Sequence, residues 1–107
     1  MSLNVVKGLG ACQGTATGVA KLPDDPTFKE GDILVANMTV PDNVPVMRKA
    51  AAIATDIGSI TCHAAIVARE LNIPCVVNTG RASVLAGKTI TIAVKEMKDA
   101  TVQWETE

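Results

Sequence analysis

Apolar positions between residues 63 and 71 recur with the period of an amphipathic helix. The positions that share one helical face, at spacings i, i+3, i+4 and i+7, are Ala64, Val67, Ala68 and Leu71. Asn72 fits the C-cap of such a helix, and Pro74 prevents its continuation. The pattern therefore predicts a helix that begins at His63 and packs one face against a sheet.

Short apolar runs separated by turn residues predict strands on both sides of this helix. Residues 52–55 fit a buried strand before it, and residues 75–77 fit the next parallel strand after it. The other predicted elements are strands over 5–7, 15–21, 33–36, 89–94 and 101–105 and a short helix over 46–51, with Trp104 covering a sheet edge. The strand, loop and helix together place His63 just past the carboxyl end of a strand, where open α/β sheets generally bind ligands.

The chain is long enough for one hydrophobic core. With 107 residues we expect a single domain over residues 1–107. Hydrophobic residues make up 48% of the chain and aromatic residues 2%, which favours a core of Val, Ile, Leu and Ala.

The charge and the cysteines of the chain argue against several classes of partner and against a metal site. The formal net charge is -1 and the chain has no basic cluster, which argues against nucleic acid and anionic membrane surfaces. No apolar run approaches the length of a membrane span and the N-terminus lacks the regions of a signal peptide, so we expect a cytoplasmic protein. Three cysteines and one histidine at no metal-like spacing predict free thiols and no metal site.

His63 is the only histidine and the main candidate for chemistry. Imidazole is nucleophilic near neutral pH and can hold a phosphoryl group as a labile phosphoramidate. Backbone N–H groups in the first turn of a helix lack internal partners and lie at the positive end of the macrodipole, so they favour an arriving phosphate. The positions that we predict to contact phosphate or to form its approach loop are Gly58, Ser59, Thr61, Cys62 and Ala64.

One charged residue lies before these positions in the sequence and one lies after them. We expect Asp56 to fix the loop through backbone N–H groups. Arg69 follows His63 by six residues, nearly two helical turns, so we expect it to face solvent or a partner and not to bind the phosphate.

Residues 55–77 resemble the phosphohistidine motif of phosphoenolpyruvate (PEP)-utilising enzymes, T-D-x-G-G-x-T-[SC]-H-A-A-[IV]-[IV]-A-R-x-x-x-I-P-x-V-V. The matching positions are Thr55, Asp56, Gly58, Thr61, Cys62, His63, Ala64, Ala65, Ile66, Val67, Ala68, Arg69, Ile73, Pro74, Val76 and Val77. The flanking segments resemble the same mobile domain, so the resemblance covers nearly the whole chain. Cys62 and the run 69–71 favour the PEP synthase branch over the pyruvate phosphate dikinase branch.

This resemblance implies a swivelling β/β/α domain, an α/β fold of three layers with a parallel central sheet. It implies a carrier that takes a phosphoryl group from an ATP-grasp-like nucleotide-binding domain to a pyruvate- or PEP-binding barrel, in the same chain or in separate chains. Because 107 residues cannot also hold separate ATP and pyruvate sites, we expect a component of an enzyme and not a complete one. His63 would hold the group on Nε2 while Nδ1 keeps its proton. Mg2+ would be held by partner domains, with no cofactor bound by this chain. Thr61 matches a position that is a regulatory phosphorylation site in some members.

Three departures from the family pattern bear on this expectation. Ser59 stands where the family usually has a second glycine, and Asn78 replaces the glycine that commonly follows Val-Val. Residues 94–99 carry charge and no glycine, where the family often has an Asp-Gly turn before its last strand. Two alternatives to a phosphoryl carrier therefore stay open. One is a non-catalytic relative that serves in assembly or allosteric contact, and the other is a small module that binds a free anion at the same helix terminus.

Overall fold

Seven strands close into one small barrel in the computed structural model, which describes residues 2–106. The strands are β1 (Ser2–Cys12), β2 (Gly14–Lys21), β3 (Ile33–Ala36), β4 (Ala52–Thr55), β5 (Cys75–Val77), β6 (Thr89–Glu96) and β7 (Asp99–Thr106). Their order around the barrel is β1-β5-β4-β3-β2-β6-β7, and β7 pairs again with β1. The helices are α1 (Val44–Met47) and α2 (His63–Leu71), with 3₁₀ turns at Pro41–Asn43 and Ala82–Leu85.

The barrel contains both parallel and antiparallel pairs. Strands β2, β3, β4 and β5 run parallel to one another, whereas β1, β6 and β7 join them through antiparallel pairs. β1 is the longest strand, with 11 residues. Its first part pairs with β7 and its last part pairs with β5, across a register shift between Gly10 and Cys12. β1 therefore joins the two ends of the sheet and closes it.

The expected three-layer α/β fold with a parallel central sheet is wrong for this chain. The antiparallel strands do not form a separate layer, because they continue the hydrogen-bonded sheet that contains β2–β5. A strand of 11 residues at about 3.3 Å per residue is long enough to pair with both β5 and β7, so the sheet keeps no free edge. The local prediction of a strand over 52–55, a helix from His63 and a parallel strand over 75–77 is confirmed.

Alternating side chains divide the core into two clusters. In β4, Ala52 and Ala54 point into the barrel, whereas Ile53 points outward beneath the helices. The buried side chains of the barrel interior are Ala20, Ile33, Val35, Ala52, Ala54, Val76, Ala82, Leu85, Ile90, Ile92, Val94, Ala100, Val102 and Trp104. Those of the outer cluster are Phe28, Leu34, Met47, Ala50, Ile53, Ala64, Ala68, Cys75 and Val77. Trp104 thus lies inside the barrel and does not cover a sheet edge, and the Arg81 guanidinium lies 5.5 Å from its ring centroid.

A buried ion pair joins the end of β2 to the start of β3. The Lys21 Nζ lies 2.9 Å from Oδ2 of Asp32, which is 3% exposed and also accepts a hydrogen bond from the Lys29 N–H. Burial alone raises the pKa of the Asp32 carboxyl, but the hydrogen bonds from Lys21 and Lys29 outweigh it and hold the pKa below its ordinary value of 3.8. The charged carboxylate therefore stabilises the folded chain at neutral pH.

Replacing Asp32 with Asn should lower the free energy of unfolding by about 2 kcal/mol at pH 7, because Lys21 loses its buried partner. Because the folded-state pKa is lowered, this contribution is complete above pH 3.8 and is lost as the pH falls through the folded value. Urea unfolding of the wild type, Asp32→Asn and the exposed-site control Asp24→Asn at several pH values measures the difference. Equal stability of the two variants at pH 7 would contradict this role for Asp32.

Candidate functional site

The loops that follow β3 and β4 lie side by side at the carboxyl ends of these parallel strands. The backbone pairing of these strands continues past their ends, since the Asp56 N–H donates to the Ala36 carbonyl at 2.9 Å and the Ile57 N–H donates to the Asn37 carbonyl at 3.1 Å. Residues 37–40 are thereby held beside residues 56–62. His63 comes next in the chain and is the first residue of α2.

The N-terminus of α2 begins without a side-chain cap. Cys62 is the N-cap, with an extended backbone (φ -75°, ψ 169°), and its thiol makes no capping hydrogen bond. The first hydrogen bond of the helix runs from the Ile66 N–H to the Cys62 carbonyl at 3.0 Å. The N–H groups of the first turn, which have no carbonyl ahead of them in the helix, therefore lie immediately around His63.

A threonine hydroxyl holds the imidazole of His63. The Oγ1 of Thr39 lies 2.8 Å from Nδ1, and Thr39 itself is 3% exposed. Within residues 2–106 no side chain or backbone group hydrogen-bonds Nε2, and no side-chain nitrogen or oxygen is both buried and without a partner. Nε2 is therefore the solvent-accessible ring nitrogen.

Sequence reasoning required a partner for Nδ1 but did not identify Thr39. The threonine stands 24 residues before His63 and outside the motif. Thr39 could have been found as a polar residue that comes soon after a buried strand, β3. It becomes a candidate only when β3 is known to pair with β4, the strand before His63, and the structure supplies that pairing.

The predicted site residues divide into two groups. A cavity of about 100 Å3 is lined by Gly58, Cys62, His63 and Ala64 together with Met38, Thr39, Thr55 and Ile57. Ser59 and Thr61 do not line it and are exposed, and their hydroxyl oxygens lie 3.0 Å apart. The Thr61 N–H also donates to the Ser59 hydroxyl at 3.3 Å, so these two residues stabilise the turn before the helix. The lining of the cavity includes no Lys or Arg side chain.

Two of the departures from the family pattern, at Ser59 and Asn78, have different backbone requirements. Among the described non-glycine residues, positive φ occurs at Asn72 and Asn78. Ser59 therefore has an ordinary φ, and the serine causes no left-handed strain. Asn78, with φ 59°, adopts the left-handed conformation that favours glycine, and asparagine is among the side chains that tolerate it best.

Asp56 and Arg69 both make contacts that differ from those expected. The Asp56 carboxylate accepts hydrogen bonds from the Ser83 N–H at 2.7 Å and the Ser83 hydroxyl at 2.5 Å, so it anchors the neighbouring 3₁₀ turn and not its own loop. The Arg69 guanidinium donates to the Ile60 carbonyl at 2.6 Å and the Ala11 carbonyl at 3.3 Å. Arg69 is therefore bound within the domain, although its side chain lies at the surface.

Exposed apolar side chains lie around His63. We define the apolar rim as Met38, Val40, Ile57, Ile60 and Ile66, which are between 38% and 53% exposed. Met38 and Ile57 line the same cavity as His63, and Ile66 follows His63 by three residues on α2. Large apolar side chains clustered around an accessible polar group such as this imidazole are typical of a surface that contacts another protein.

Other surfaces and side chains lie apart from this arrangement. A larger open depression of about 540 Å3 lies on the antiparallel face, beside Thr17, Thr91 and Gln103, and His63 is not among its lining residues. Burial raises the pKa of the Cys75 thiol to about 12, so this cysteine is unreactive at neutral pH. Among residues 2–106 no three His, Cys, Asp or Glu side chains come together as metal ligands. No helix in the described part of the chain is long and apolar enough to cross a membrane.

Comparison with known sequences gives a consistent family assignment. A family model described as PEP-utilising enzyme, mobile domain, matches residues 28–97. A probable phosphoenolpyruvate synthase of Staphylothermus marinus is 50% identical over 96 residues, which cover 84% of this chain and 12% of the relative. The phosphoenolpyruvate synthase of Aquifex aeolicus is 49% identical over 98 residues, which cover 86% of this chain and 11% of the relative. The chain therefore spans only 11–12% of the length of these relatives.

Solved structures of other proteins share the fold. The holo form of Thermococcus kodakaraensis aconitase X matches with a TM-score of 0.65 at 17% identity, covering 96% of this chain and 99% of that chain. This likeness concerns the fold alone and agrees with the barrel in place of the three-layer arrangement. A solution structure of Enzyme I (nEIt) matches with a TM-score of 0.54 at 29% identity, covering 73% of this chain and 32% of that chain.

Replacing Gly58 with Ala should destabilise the loop before His63. Gly58 has φ +130°, and an added Cβ would lie 2.9 Å from the Cys62 Sγ. Gly80 is a matched control because it also has positive φ (+80°) but has no atom within 4 Å of an added Cβ. We expect Gly58→Ala to lower the free energy of unfolding by about 2–3 kcal/mol and Gly80→Ala by about 1 kcal/mol. Urea unfolding measures both, and an equal or smaller loss for Gly58→Ala would contradict the close contact with Cys62.

Proposed function

We propose, since this chain belongs to the family of PEP-utilising enzyme mobile domains, that His63 is a phosphoryl carrier. The imidazole takes a phosphoryl group from a nucleotide-bound partner domain and delivers it to a partner that binds pyruvate or PEP. The observation that carries this proposal is the 2.8 Å contact between Nδ1 of His63 and the hydroxyl of Thr39, which leaves Nε2 as the accessible nitrogen.

Of the two tautomers that this contact allows, the proposal uses one. When Nδ1 carries the proton and donates it to the Thr39 oxygen, Nε2 keeps a free lone pair. That lone pair forms the new N–P bond while the bond from phosphorus to the oxygen or nitrogen of the donor breaks. The leaving group takes the bonding electron pair, and the Nδ1 proton stays on the ring. Delivery to the acceptor reverses these events, with an acceptor oxygen replacing Nε2 at phosphorus.

The start of α2 supplies hydrogen-bond donors but not countercharge. We assign contact with the phosphoryl oxygens to the N–H groups of the first turn, beside Gly58, Cys62 and Ala64. Ser59 and Thr61 hold the shape of the loop from outside the cavity. The Thr61 hydroxyl is exposed, and a phosphate on it would stand two residues from His63 and repel a second phosphate, which supports Thr61 as a regulatory phosphorylation site.

The remaining charge neutralisation must come from partners in this proposal. No Lys or Arg lines the cavity, so cationic side chains and Mg2+ are assigned to an ATP-grasp-like nucleotide-binding domain and a pyruvate- or PEP-binding barrel, in the same chain or in separate chains. The apolar rim supports close contact with such domains. The names and the much greater length of the phosphoenolpyruvate synthase relatives favour partners in the same chain. A cytoplasmic location also stays a prediction.

Neither alternative function has an observation in its favour. A free-anion module would be expected to place a cation near its ligand, whereas a cavity of about 100 Å3 with no Lys or Arg in its lining is poorly suited to PEP. A non-catalytic relative was suggested by Ser59, but the ordinary φ of that residue removes the backbone strain that would have disturbed the site.

The proposal predicts one acid-labile phosphoryl group on the wild type and none on His63→Ala. Each chain is incubated with PEP or ATP, Mg2+ and an extract of the source organism, and separately with phosphoramidate, which needs no partner protein. Intact mass and phosphorus NMR report the product, and His63 is the only histidine that can carry it. A wild type that stays unmodified with every donor, or a phosphoryl group of the same lability on His63→Ala, would reject the carrier function.

The same phosphorylation experiment measures how much the Thr39 hydroxyl contributes to the rate. Thr39→Val removes the hydroxyl at nearly constant volume and should slow phosphorylation by about tenfold, the equivalent of a lost hydrogen bond of about 1.4 kcal/mol. Thr39→Ser keeps the hydroxyl and should stay within about threefold of the wild type. A rate for Thr39→Val equal to that of Thr39→Ser would show that the hydroxyl does not control the imidazole.

A further inference from the structure

The Arg69 side chain connects three parts of the domain. It projects from α2, and its two terminal nitrogens donate to carbonyl groups outside the helix, Nη2 to Ile60 at 2.6 Å and Nη1 to Ala11 at 3.3 Å. Ile60 lies in the loop before His63, and Ala11 lies near the end of β1. One guanidinium therefore links the helix, the loop and the strand that closes the barrel.

An irregularity in β1 places the Ala11 carbonyl within reach of this side chain. The pairing of β1 with β5 shifts register between Gly10 and Cys12, so Ala11 has no partner in the regular ladder. The guanidinium of Arg69 binds this carbonyl and the Ile60 carbonyl at once through two different nitrogens. The planar fork of arginine holds these two donors in a fixed geometry, whereas the three donors of a lysine ammonium all lie on one atom at the end of a flexible chain.

On this basis we infer that Arg69 is a positioning residue for the proposed phosphoryl transfer, an inference that rests on the carrier role of His63. Its hydrogen bond fixes the orientation of the Ile60 carbonyl, and with it the chain direction into Thr61 and Cys62. The N–H groups of the first turn and Nε2 of His63 then keep the same distances and orientations relative to each other before a phosphoryl group arrives. Arg69 acts through the loop and does not touch the reacting atoms.

The position of Arg69 distinguishes this role from direct phosphate binding. Six residues separate it from His63, which corresponds to a displacement of about 9 Å along the helix axis and a different helical face. Arg69 is not among the residues that line the cavity beside His63. Its charged group is already engaged with two carbonyl oxygens.

The surface location predicts a selective effect of substitution. Hydrogen bonds and ion pairs of exposed side chains contribute little to global stability, so Arg69→Gln should lower the melting temperature by no more than about 3 °C. Phosphorylation by phosphoramidate should nevertheless slow by about tenfold, because small displacements of reacting groups reduce rates strongly. Arg69→Lys, which keeps the charge but loses the planar fork, should fall between Arg69→Gln and the wild type.

The experiment combines phosphorylation rates with backbone amide NMR of the unphosphorylated 107-residue chain. Rates are measured against phosphoramidate concentration, and Arg48→Gln serves as the control because Arg48 is also an exposed arginine. In Arg69→Gln the amide signals of residues 59–62 and 11–12 should shift or broaden while those of the other strands stay unchanged. In this variant the phosphorylation rate at saturating phosphoramidate should fall. The phosphoramidate concentration that gives half of the saturating rate should not change.

Three outcomes would overturn the inference. Unchanged loop signals together with a reduced rate would mean that Arg69 acts directly on the phosphoryl group, as would a change in the half-saturating donor concentration alone. Altered loop signals with a rate within twofold of the wild type would mean that Arg69 has a structural role only. A wild type that neither phosphoramidate nor PEP or ATP with the extract can modify would instead reject the proposed function, while the amide spectra would still decide whether Arg69 holds the loop.

Discussion

The parallel pairing of β3 with β4 is the constraint on which the site depends. Ala36 lies opposite Thr55 at the end of this ladder, and backbone hydrogen bonds from Asp56 and Ile57 extend it by two further residues. Two loops that are distant in sequence are thereby fixed side by side. One loop carries Thr39 and the other leads into His63, so the contact between hydroxyl and imidazole follows from the strand register. A shift of one residue would turn each side chain to the opposite face of its strand.

Closure of the barrel surrounds this pairing with further hydrogen-bonded strands. β1 joins β5 to β7, so neither side of the parallel segment ends in a free strand. The outer cluster then holds α2 through its small residues, since Ala64 and Ala68 let the helix lie close to Ile53 and Val77. Under the proposed function, a site with a nucleophile and backbone donors but no cation in its cavity would suit reversible transfer, because strong countercharge on the carrier would hold the phosphoryl group too tightly.

The elements that sequence predicted well are those set by local pattern. The helix from His63 to Leu71, its left-handed Asn72 cap and the strands on either side depend on periodicity and capping residues that lie close together in sequence. The predicted strands 5–7 and 101–105 were too short, because β1 and β7 extend through long-range pairing that local pattern does not reveal. The three-layer expectation and the edge position of Trp104 were wrong for the same reason. The roles proposed for Thr39 and Arg69 also depend on contacts across the fold. The Thr39 contact depends on the pairing of β3 with β4, and one of the Arg69 contacts depends on the β-bulge in β1.

The most direct test of the central claim is nitrogen NMR of the chain labelled with 15N-histidine, before and after phosphorylation. His63 is the only histidine, so each state gives one pair of ring nitrogen signals. At about pH 9, where an ordinary imidazole is neutral, the account predicts a protonated Nδ1 and an unprotonated Nε2, followed by phosphorus coupling at Nε2. A proton on Nε2 in the neutral ring, or phosphorus coupling at Nδ1, would contradict the account, because the Thr39 contact would then not present the reacting nitrogen.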